Sequence, residues 1–405
     1  MINFVSTFPP IMCGIGSYTK YLVSKMPKNC WRVTSLALDG FSKTSFKLDK
    51  RATYTISLSN PKLPPSLDEE VLWFEHAFGM WGRESPSFIK LVKEAKEKKK
   101  KVIATLHTIH FQSDETPQGL QQKEKRLLEE LLPSIDVATV FTNGAYEAVI
   151  ETFPEYKDKV VVLRHGVFLY PEVNKEEARK KLLRYLMNIA SISQAQIKSW
   201  ESLFFSKKII LLGSFGFITK DKDPLKLYSL GEILQKRLPN YKVVVIYMGE
   251  IQKRKDKKIE ESLPILERLK SIHDGKRNLF FEDYIPESIL PFVLQALDFA
   301  VFWCHNASQS GRMAHAQGAG AFVVGRDIEG IGETLRLSGL PSSDTLEGLA
   351  EKIALLTLNH KLKQKMLRSS LDYAQKFSYK VQAKKHLLLE EAVRAERELP
   401  ILDRI

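Results

Sequence analysis

The segment Ser308-Gln309-Ser310-Gly311-Arg312-Met313-Ala314-His315-Ala316-Gln317-Gly318-Ala319-Gly320 gathers hydroxyls, small residues, an arginine and a histidine, and the apolar run Ala321 to Val324 follows at once. The pattern reads as a loop, a short helix opening at Ser310 and Gly311, and a buried parallel strand. A helix start presents unpaired backbone N–H groups and the positive end of a dipole, both of which suit a phosphate. Ser310 and Gly311 therefore mark a candidate site for a nucleoside diphosphate.

A second turn of this kind, Cys13-Gly14-Ile15-Gly16-Ser17, joins the first apolar run to the first helical stretch. Glycines let backbone approach a ligand closely and leave the helix start open to phosphate or sugar oxygens, although a tight strand-to-helix turn needs glycine in any case. His107 directly follows the run Val102 to Leu106, at the carboxyl edge where ligands gather in open α/β sheets. His76, His110 and His165 are further candidates, and for these a hydrogen-bonded structural role is the preferred reading. Cys13, Cys30 and Cys304 are odd in number, far apart and without metal-ligand spacing, so neither a disulfide framework nor a zinc site is expected. A reducing cytoplasm suits them.

The elements that must position these residues alternate along almost the whole chain. Strands are expected at Ile2 to Phe8, Trp31 to Ala37, Thr53 to Leu58, Val71 to Glu75, Val102 to Leu106, Ala138 to Phe141 and Val160 to Leu163. Helices are expected between them at Gly16 to Met26, Ser87 to Lys98, Gln121 to Leu132 and Gly144 to Glu151. The alternation pauses over 171–207, a charged helical connector, and resumes with strands Lys208 to Leu212, Lys242 to Met248, Leu279 to Phe281, Phe299 to Trp303 and Ala321 to Val324. Helices Leu225 to Arg237, Pro264 to His273, Ser288 to Leu297 and Arg312 to Ala319 separate these. From Thr345 the text is wholly helical, with a break at Phe377-Ser378-Tyr379. Two doubly wound α/β domains follow, an N-terminal one over 1–170 and a C-terminal one over 208–379, with a last helix at about 380–405 packing back on the first.

Composition agrees with two domains, since 405 residues at 44% hydrophobic content exceed what one core usually supports. The opening MINFVSTFPP reads as a strand rather than a leader. No run approaches the roughly eighteen apolar residues of a membrane span. The formal charge of +13 includes clusters at Lys98 to Lys101 and at Lys253, Arg254, Lys255, Lys257 and Lys258 that could attract phosphates or an anionic membrane. Solvated helix faces are the simpler reading of either. Neither cluster is interleaved with aromatics, so nucleic acid is not an expected partner.

Five blocks in order, STFPPIMCGIGSYTKYL, VIATLHTIH, VVVLRHGV, LLGSFGFITKDK and SGRMAHAQGAGAFVVGRDIEGIGE, with FSYKVQAKKHL near the end, resemble glycosyltransferase family 4 over nearly the full length. The resemblance implies a GT-B fold, two Rossmann-like domains facing across a cleft. It implies a nucleotide-sugar donor held mainly by the C-terminal domain and a glycan, lipid-linked or small-sugar acceptor on the N-terminal one. It further implies metal-independent transfer with retained anomeric configuration and no cofactor; the cysteine usage suits a cytoplasmic location, and the basic charge suits a lipid-linked acceptor and a peripheral contact at the inner membrane face as well as a soluble sugar.

Cleaving a sugar–phosphate bond leaves charge on a nucleoside diphosphate, which fixed cations and N–H donors must meet. Lys222 falls where GFITKDK resembles the family's phosphate loop and is the first candidate; an exposed loop lysine is the alternative. Phe217 stands where the family commonly has arginine, and Arg312 is a candidate replacement, against an ordinary helix-surface arginine. His107 resembles the family histidine near the transferred sugar, where a neutral imidazole can hydrogen-bond a hydroxyl. The family's two glutamates are replaced by Ala307 and His315: His315 can still hydrogen-bond a ribose hydroxyl, whereas Ala307 cannot do the first glutamate's work. Glu329 or Glu333 could supply a carboxylate nearby, and Glu333 matches a glutamate the family often has after this strand. An active transferase with an altered donor pocket and a non-catalytic GT-B protein that binds nucleotide, carbohydrate or a partner enzyme both remain open. A GT-B epimerase or phosphorylase shares the architecture without a specific motif.

Overall fold

Strands whose side chains are apolar on both faces of the pleat need cover on both sides, and parallel sheets wrapped by helices supply it. The computed structural model describes residues 1–39, 47–82, 85–189, 193–251 and 258–405. Met1–Gly166, Ala307–Gly311 and Phe377–Ile405 cluster into one compact unit, and Val167–Asn306 with Arg312–Lys376 into a second.

In the first unit the strands are β1 (Ile2–Ser6), β2 (Trp31–Leu36), β3 (Ala52–Ile56), β4 (Val71–His76), β5 (Lys101–Leu106), β6 (Val137–Val140) and β7 (Val160–Val162). The helices among them are α1 (Gly14–Val23), α2 (Pro86–Glu97), α3 (Gln122–Leu131) and α4 (Asn143–Thr152). The sheet runs β3-β2-β1-β4-β5-β6-β7 with parallel pairing throughout. β1, β4 and β6 are buried at every residue. Helix α2 starts on a proline, as a first helical position allows, and lays Phe88, Leu91 and Val92 fully buried against this sheet's core. Each such side chain contributes roughly 1.5–3 kcal/mol.

The second unit opens with α5 (Lys175–Ile189) and α6 (Gln194–Phe204), so the stretch 171–207 carries two helices that cluster with it. Arg179 of α5 fixes the first of them by bonding Asp298 (2.7 Å) and the Phe204 carbonyl (2.9 Å). There follow β8 (Ile209–Phe215), α7 (Leu225–Arg237), β9 (Lys242–Met248), α8 (Lys258–Ile272), β10 (Asn278–Phe281), α9 (Leu290–Ala296), β11 (Phe299–Phe302), α10 (Gly311–Gly318), β12 (Val323–Arg326), α11 (Glu329–Leu337), β13 (Ser342–Ser343), α12 (Leu346–Leu358) and α13 (His360–Lys376). The sheet is β10-β9-β8-β11-β12-β13, again parallel. α14 (Tyr379–Arg394) returns to the first unit and packs on α1.

Three expectations are corrected. Helix α8 begins at Lys258 and carries Pro264 inside it, because Ser262, Leu266 and Leu269 continue one buried stripe through the proline. The strand expected from Ala321 starts at Val323, since the Ala321 N–H is spent closing α10 on the Ala316 carbonyl (3.0 Å). The last residues are not helical: α14 stops at Arg394, and the tail is pinned by buried Asp403, which accepts from the Arg164 backbone (2.8 Å) and Gln382 (2.9 Å). Lys253, Arg254, Lys255 and Lys257 lie outside the described residues. Of the other basic cluster, Lys98 pairs with Glu94 (2.8 Å) and Lys101 with Glu396. Among the described residues no helix is long and apolar enough to cross a membrane.

Candidate active site

Each sheet reverses its strand order once, between β1 and β4 in the first unit and between β8 and β11 in the second. Ligands of open α/β sheets bind outside the carboxyl ends of the strands at such a switch point. Gly14 and Gly16 follow β1, His107 follows β5, Lys222 follows β8 and Arg312 lies on the helix after β11, whereas His315 lies within α10 and Glu333 on α11 after β12.

In the first unit the β1-to-α1 turn brings Gly14 and Gly16 to the switch point. A Cβ at Gly14 would meet nothing within 4 Å, whereas one at Gly16 would lie 3.3 Å from the backbone and hydroxyl of Thr7. Gly16 is thus explained by packing and Gly14 is open to close approach. Cys13 provides no side-chain cap for α1. His107 follows β5 and its Nε2 lies 2.7 Å from Glu75 Oε2 at the end of β4, both groups buried. The parallel register places Glu75 opposite Thr105, which brings the two together across 32 positions of sequence. Burial pushes the Glu75 carboxyl up, opposed by His107 and Thr105. Tyr18 and Phe141 set their ring edges against the His107 ring at 5.0 and 4.9 Å. The Glu75 bond thus fixes the His107 ring through Nε2. Ser308 donates to the His107 carbonyl at 2.9 Å, tying the 307–311 segment to this strand end.

The other three histidines differ. His76 is buried, bonds Ser85 Oγ at 2.9 Å, and is held down to about 3 by burial and then by His107. The His110 backbone donates to Glu124 at 3.1 Å, and burial raises that carboxyl to about 7. His165 bonds the Gly166 carbonyl at 2.8 Å through Nδ1, and a Cβ on Gly311 would lie 3.5 Å from its Nε2.

In the second unit β8 runs out at Phe215 and Gly216 turns the chain at φ +108°. Lys222 ends a short 3-10 turn, Lys220–Lys222. That turn is clasped by the segment after β11: the His305 backbone donates to the Asp221 carbonyl (2.8 Å) and His305 Nε2 bonds Asp223 (3.0 Å). Lys222 Nζ donates to the Phe217 carbonyl at 3.3 Å and stands 5.8 Å from the Phe217 ring centroid. The Phe217 backbone carbonyl therefore orients this lysine. Arg312 comes to the same loop from α10, donating to the Phe215 carbonyl, and a side chain at Gly216 would strike its Cδ at 2.6 Å. Burial pushes the Cys304 thiol up while Arg312 and then Lys222 oppose the rise, so both cations act on one buried atom. The two positive groups form one electrostatic neighbourhood at the switch point.

His315 accepts or donates at 2.6 Å with the Tyr170 hydroxyl through Nδ1, and burial holds it at about 4, hence neutral. Glu329 and Glu333 lie one turn apart on α11 after β12, both buried. Glu333 is not the surface glutamate of a helix start. Sequence reading missed Glu75, Tyr18, Tyr170, Asp221 and Asp223. Among the described residues no cluster of three or more His, Cys, Asp or Glu stands ready to hold a metal ion.

Two parallel-sheet Rossmann-like units of this topology give the chain the GT-B fold. Solved structures share it over nearly the whole length. An alpha,alpha-trehalose-phosphate synthase (UDP-forming) from Burkholderia xenovorans, in complex with glucose-6-phosphate, is 10% identical with a TM-score of 0.68, and the match covers 97% of this chain and 99% of that one. A trehalose-6-phosphate protein from E. coli bound with UDP-2-fluoro glucose is 12% identical with a TM-score of 0.66, over 96% of this chain and 98% of that one. The trehalose-6-phosphate synthase OtsA is 12% identical with a TM-score of 0.67, over 97% and 98%. No family model matches the sequence, and no curated protein matches it. These neighbours belong to trehalose-phosphate synthesis rather than to family 4, so the GT-B fold stands while membership of family 4 is not supported.

Proposed function

We propose that this protein is a glycosyltransferase that moves a sugar from a nucleotide-sugar donor to a hydroxyl acceptor, retaining the anomeric configuration and using no metal. The observation that carries the reading is the meeting of Lys222 and Arg312 at the loop after β8, where they donate to the Phe217 and Phe215 carbonyls at the switch point of the second sheet. Two fixed cations there can neutralise a departing diphosphate, the work otherwise asked of a divalent ion. The start of α10 adds the positive end of its dipole. His315, kept neutral by burial, serves a ribose hydroxyl, with Glu333 as the carboxylate on the next helix. In the first unit the Gly14 turn leaves room for the sugar or acceptor, and His107, fixed by Glu75, hydrogen-bonds a sugar hydroxyl. The acceptor hydroxyl attacks from the face the diphosphate leaves, and no enzyme nucleophile is required. UDP-glucose is the first donor to test and glucose 6-phosphate the first acceptor, because UDP-2-fluoro glucose and glucose-6-phosphate are bound in matched structures.

The non-catalytic alternative draws on Ala307, which cannot supply the carboxylate implied at that position. A thermal-shift panel of UDP-, GDP- and ADP-sugars, followed by product analysis, separates the two. Ligand at a hundredfold excess over its Kd adds about 2.7 kcal/mol of stability. Tight binding without transfer or hydrolysis to any acceptor favours the binder.

A cytoplasmic location with peripheral contact to an anionic membrane belongs to the same proposal. Its supporting feature is the exposed face of α13, where Lys361, Lys365 and Arg368 line a groove that Asp372 also lines, a net excess of positive charge. Co-sedimentation with phosphatidylglycerol vesicles but not phosphatidylcholine vesicles is the expected outcome.

A further inference from the structure

Asp298 immediately precedes β11 in the second unit, and three cations meet at it. Lys175 and Arg179, one turn apart at the start of α5, bond its carboxylate at 2.6 and 2.7 Å, and the Leu211 backbone N–H donates to the same group at 2.8 Å. Lys363 arrives from α13 and pairs with no carboxylate among the described residues. Its Nζ donates to the Asp298 backbone carbonyl at 3.2 Å and lies 3.9 Å from the centroid of the Phe299 ring and 5.4 Å from that of Phe322. Phe299 opens β11 and Phe322 stands just before β12, so the cluster lies at the amino edge of the second sheet, away from the edge that carries Lys222. Lys361 and Lys365, two positions to either side on α13, are exposed, whereas Lys363 is half-buried. Water normally keeps an ammonium charged; burial withdraws it, and Lys175 and Arg179 repel a third charge. The ring faces favour the charged form, and Asp298, already shared by two cations, opposes the repulsion only in part. The amine is pushed down to about 8, by burial first and then by Lys175.

We propose that Lys363 is an acylation site that takes the acyl group of a small acyl phosphate. A lysine that is partly neutral near physiological pH is a nucleophile, which a fully charged one is not. The Nζ lone pair attacks the carbonyl carbon of the donor, and the carbon–oxygen bond to phosphate breaks with its electrons staying on the phosphate. The proton of the amine passes to solvent, and an amide and inorganic phosphate remain. Lys175, whose side chain is 44% exposed, draws in the anionic donor and steadies the departing phosphate. The amide keeps one N–H for the Asp298 carbonyl and removes one charge from a cluster in which cations outnumber acids. The site is independent of the nucleotide-sugar reading.

The test is acetylation of the full chain by acetyl phosphate at about pH 7.5, followed lysine by lysine with peptide mass spectrometry. Lys363 should acetylate about 10-fold faster than Lys361 and Lys365, although both are more exposed, because its larger neutral fraction outweighs its partial cover. Its rate should level off above about pH 8. Lys175→Met should slow Lys363 about 3-fold and leave Lys361 and Lys365 within about 2-fold of their wild-type rates. In urea, where the cluster is dispersed, the three lysines should react alike. A Lys363 rate no greater than that of its two neighbours overturns the proposal, as does a preference that survives unfolding or is unchanged in Lys175→Met.

Discussion

The two switch points are built from the same topology and opposite electrostatics. In the first unit the polar groups are buried and one pair is fixed: Glu75 Oε2 holds His107 at 2.7 Å, with the Tyr18 and Phe141 rings against the imidazole. In the second unit two half-buried cations, Lys222 on a loop and Arg312 on α10, donate to the backbone carbonyls of Phe217 and Phe215. A cation that leans on a carbonyl keeps its full charge for a ligand, whereas a histidine paired with a carboxylate gives up one nitrogen and gains a fixed orientation. The difference suits one unit to anchoring an anion and the other to reading neutral hydroxyls.

That contrast can be broken by exchanging which property a mutation damages. Glu75→Ala should cost about 3 kcal/mol of stability in urea unfolding, because it leaves His107 buried without its partner, and Glu75→Gln should cost less than half as much. Lys222→Ala should do the reverse, lowering donor turnover about 100-fold, with the unfolding midpoint almost unmoved. If Lys222→Ala proves as destabilising as Glu75→Ala with full turnover retained, the contrast is wrong. Gly216→Ala combines a left-handed backbone with a collision on Arg312, and a loss of about 1–3 kcal/mol is expected together with weaker nucleotide binding.

Acid sharpens the comparison further. Burial holds His76 at about 3 and His386 at about 4 in the first unit, and His315 at about 4 in the second. Each folded-state value lies below the ordinary 6.5, so the unfolded chain takes up the proton first. Their stabilising contribution is complete above pH 6.5 and is lost as pH falls toward 4. Fully buried His76 and His386 would each remove up to about 1.4 kcal/mol per pH unit across that window. Hydrogen exchange at pH 7 and pH 5 should therefore show the first unit losing protection more than the second; equal losses would argue against this distribution.

Much of the fold was legible because each strand is a short apolar run closed by a chemically distinct residue. Gly14 follows one such run and His107 another, and their place at the carboxyl edge came directly from that pattern. The pairing of Glu75 with His107 was not legible, since it depends on the β4–β5 register and joins residues from separate runs. A signal was nonetheless present: VLWFEH carries a glutamate at the end of an otherwise apolar strand, and a buried carboxylate needs a partner. The Tyr170–His315 bond spans 145 positions and left no such trace. Arg312 was visible as a candidate, but its support against Gly216 depends on a backbone angle that sequence spacing does not encode. Pro264 misled for the opposite reason, because local proline chemistry was outweighed by a continuous buried stripe.

The central claim is that the second unit's switch point grips a diphosphate through Lys222 with Arg312 beside it. Calorimetric titration of UDP into the wild type and into Lys222→Ala, each at two salt concentrations, tests it most directly. The account predicts measurable wild-type affinity that weakens with salt, and at least about a tenfold loss in the variant with a shallower salt dependence. Equal affinity and equal salt dependence in the two proteins would contradict it.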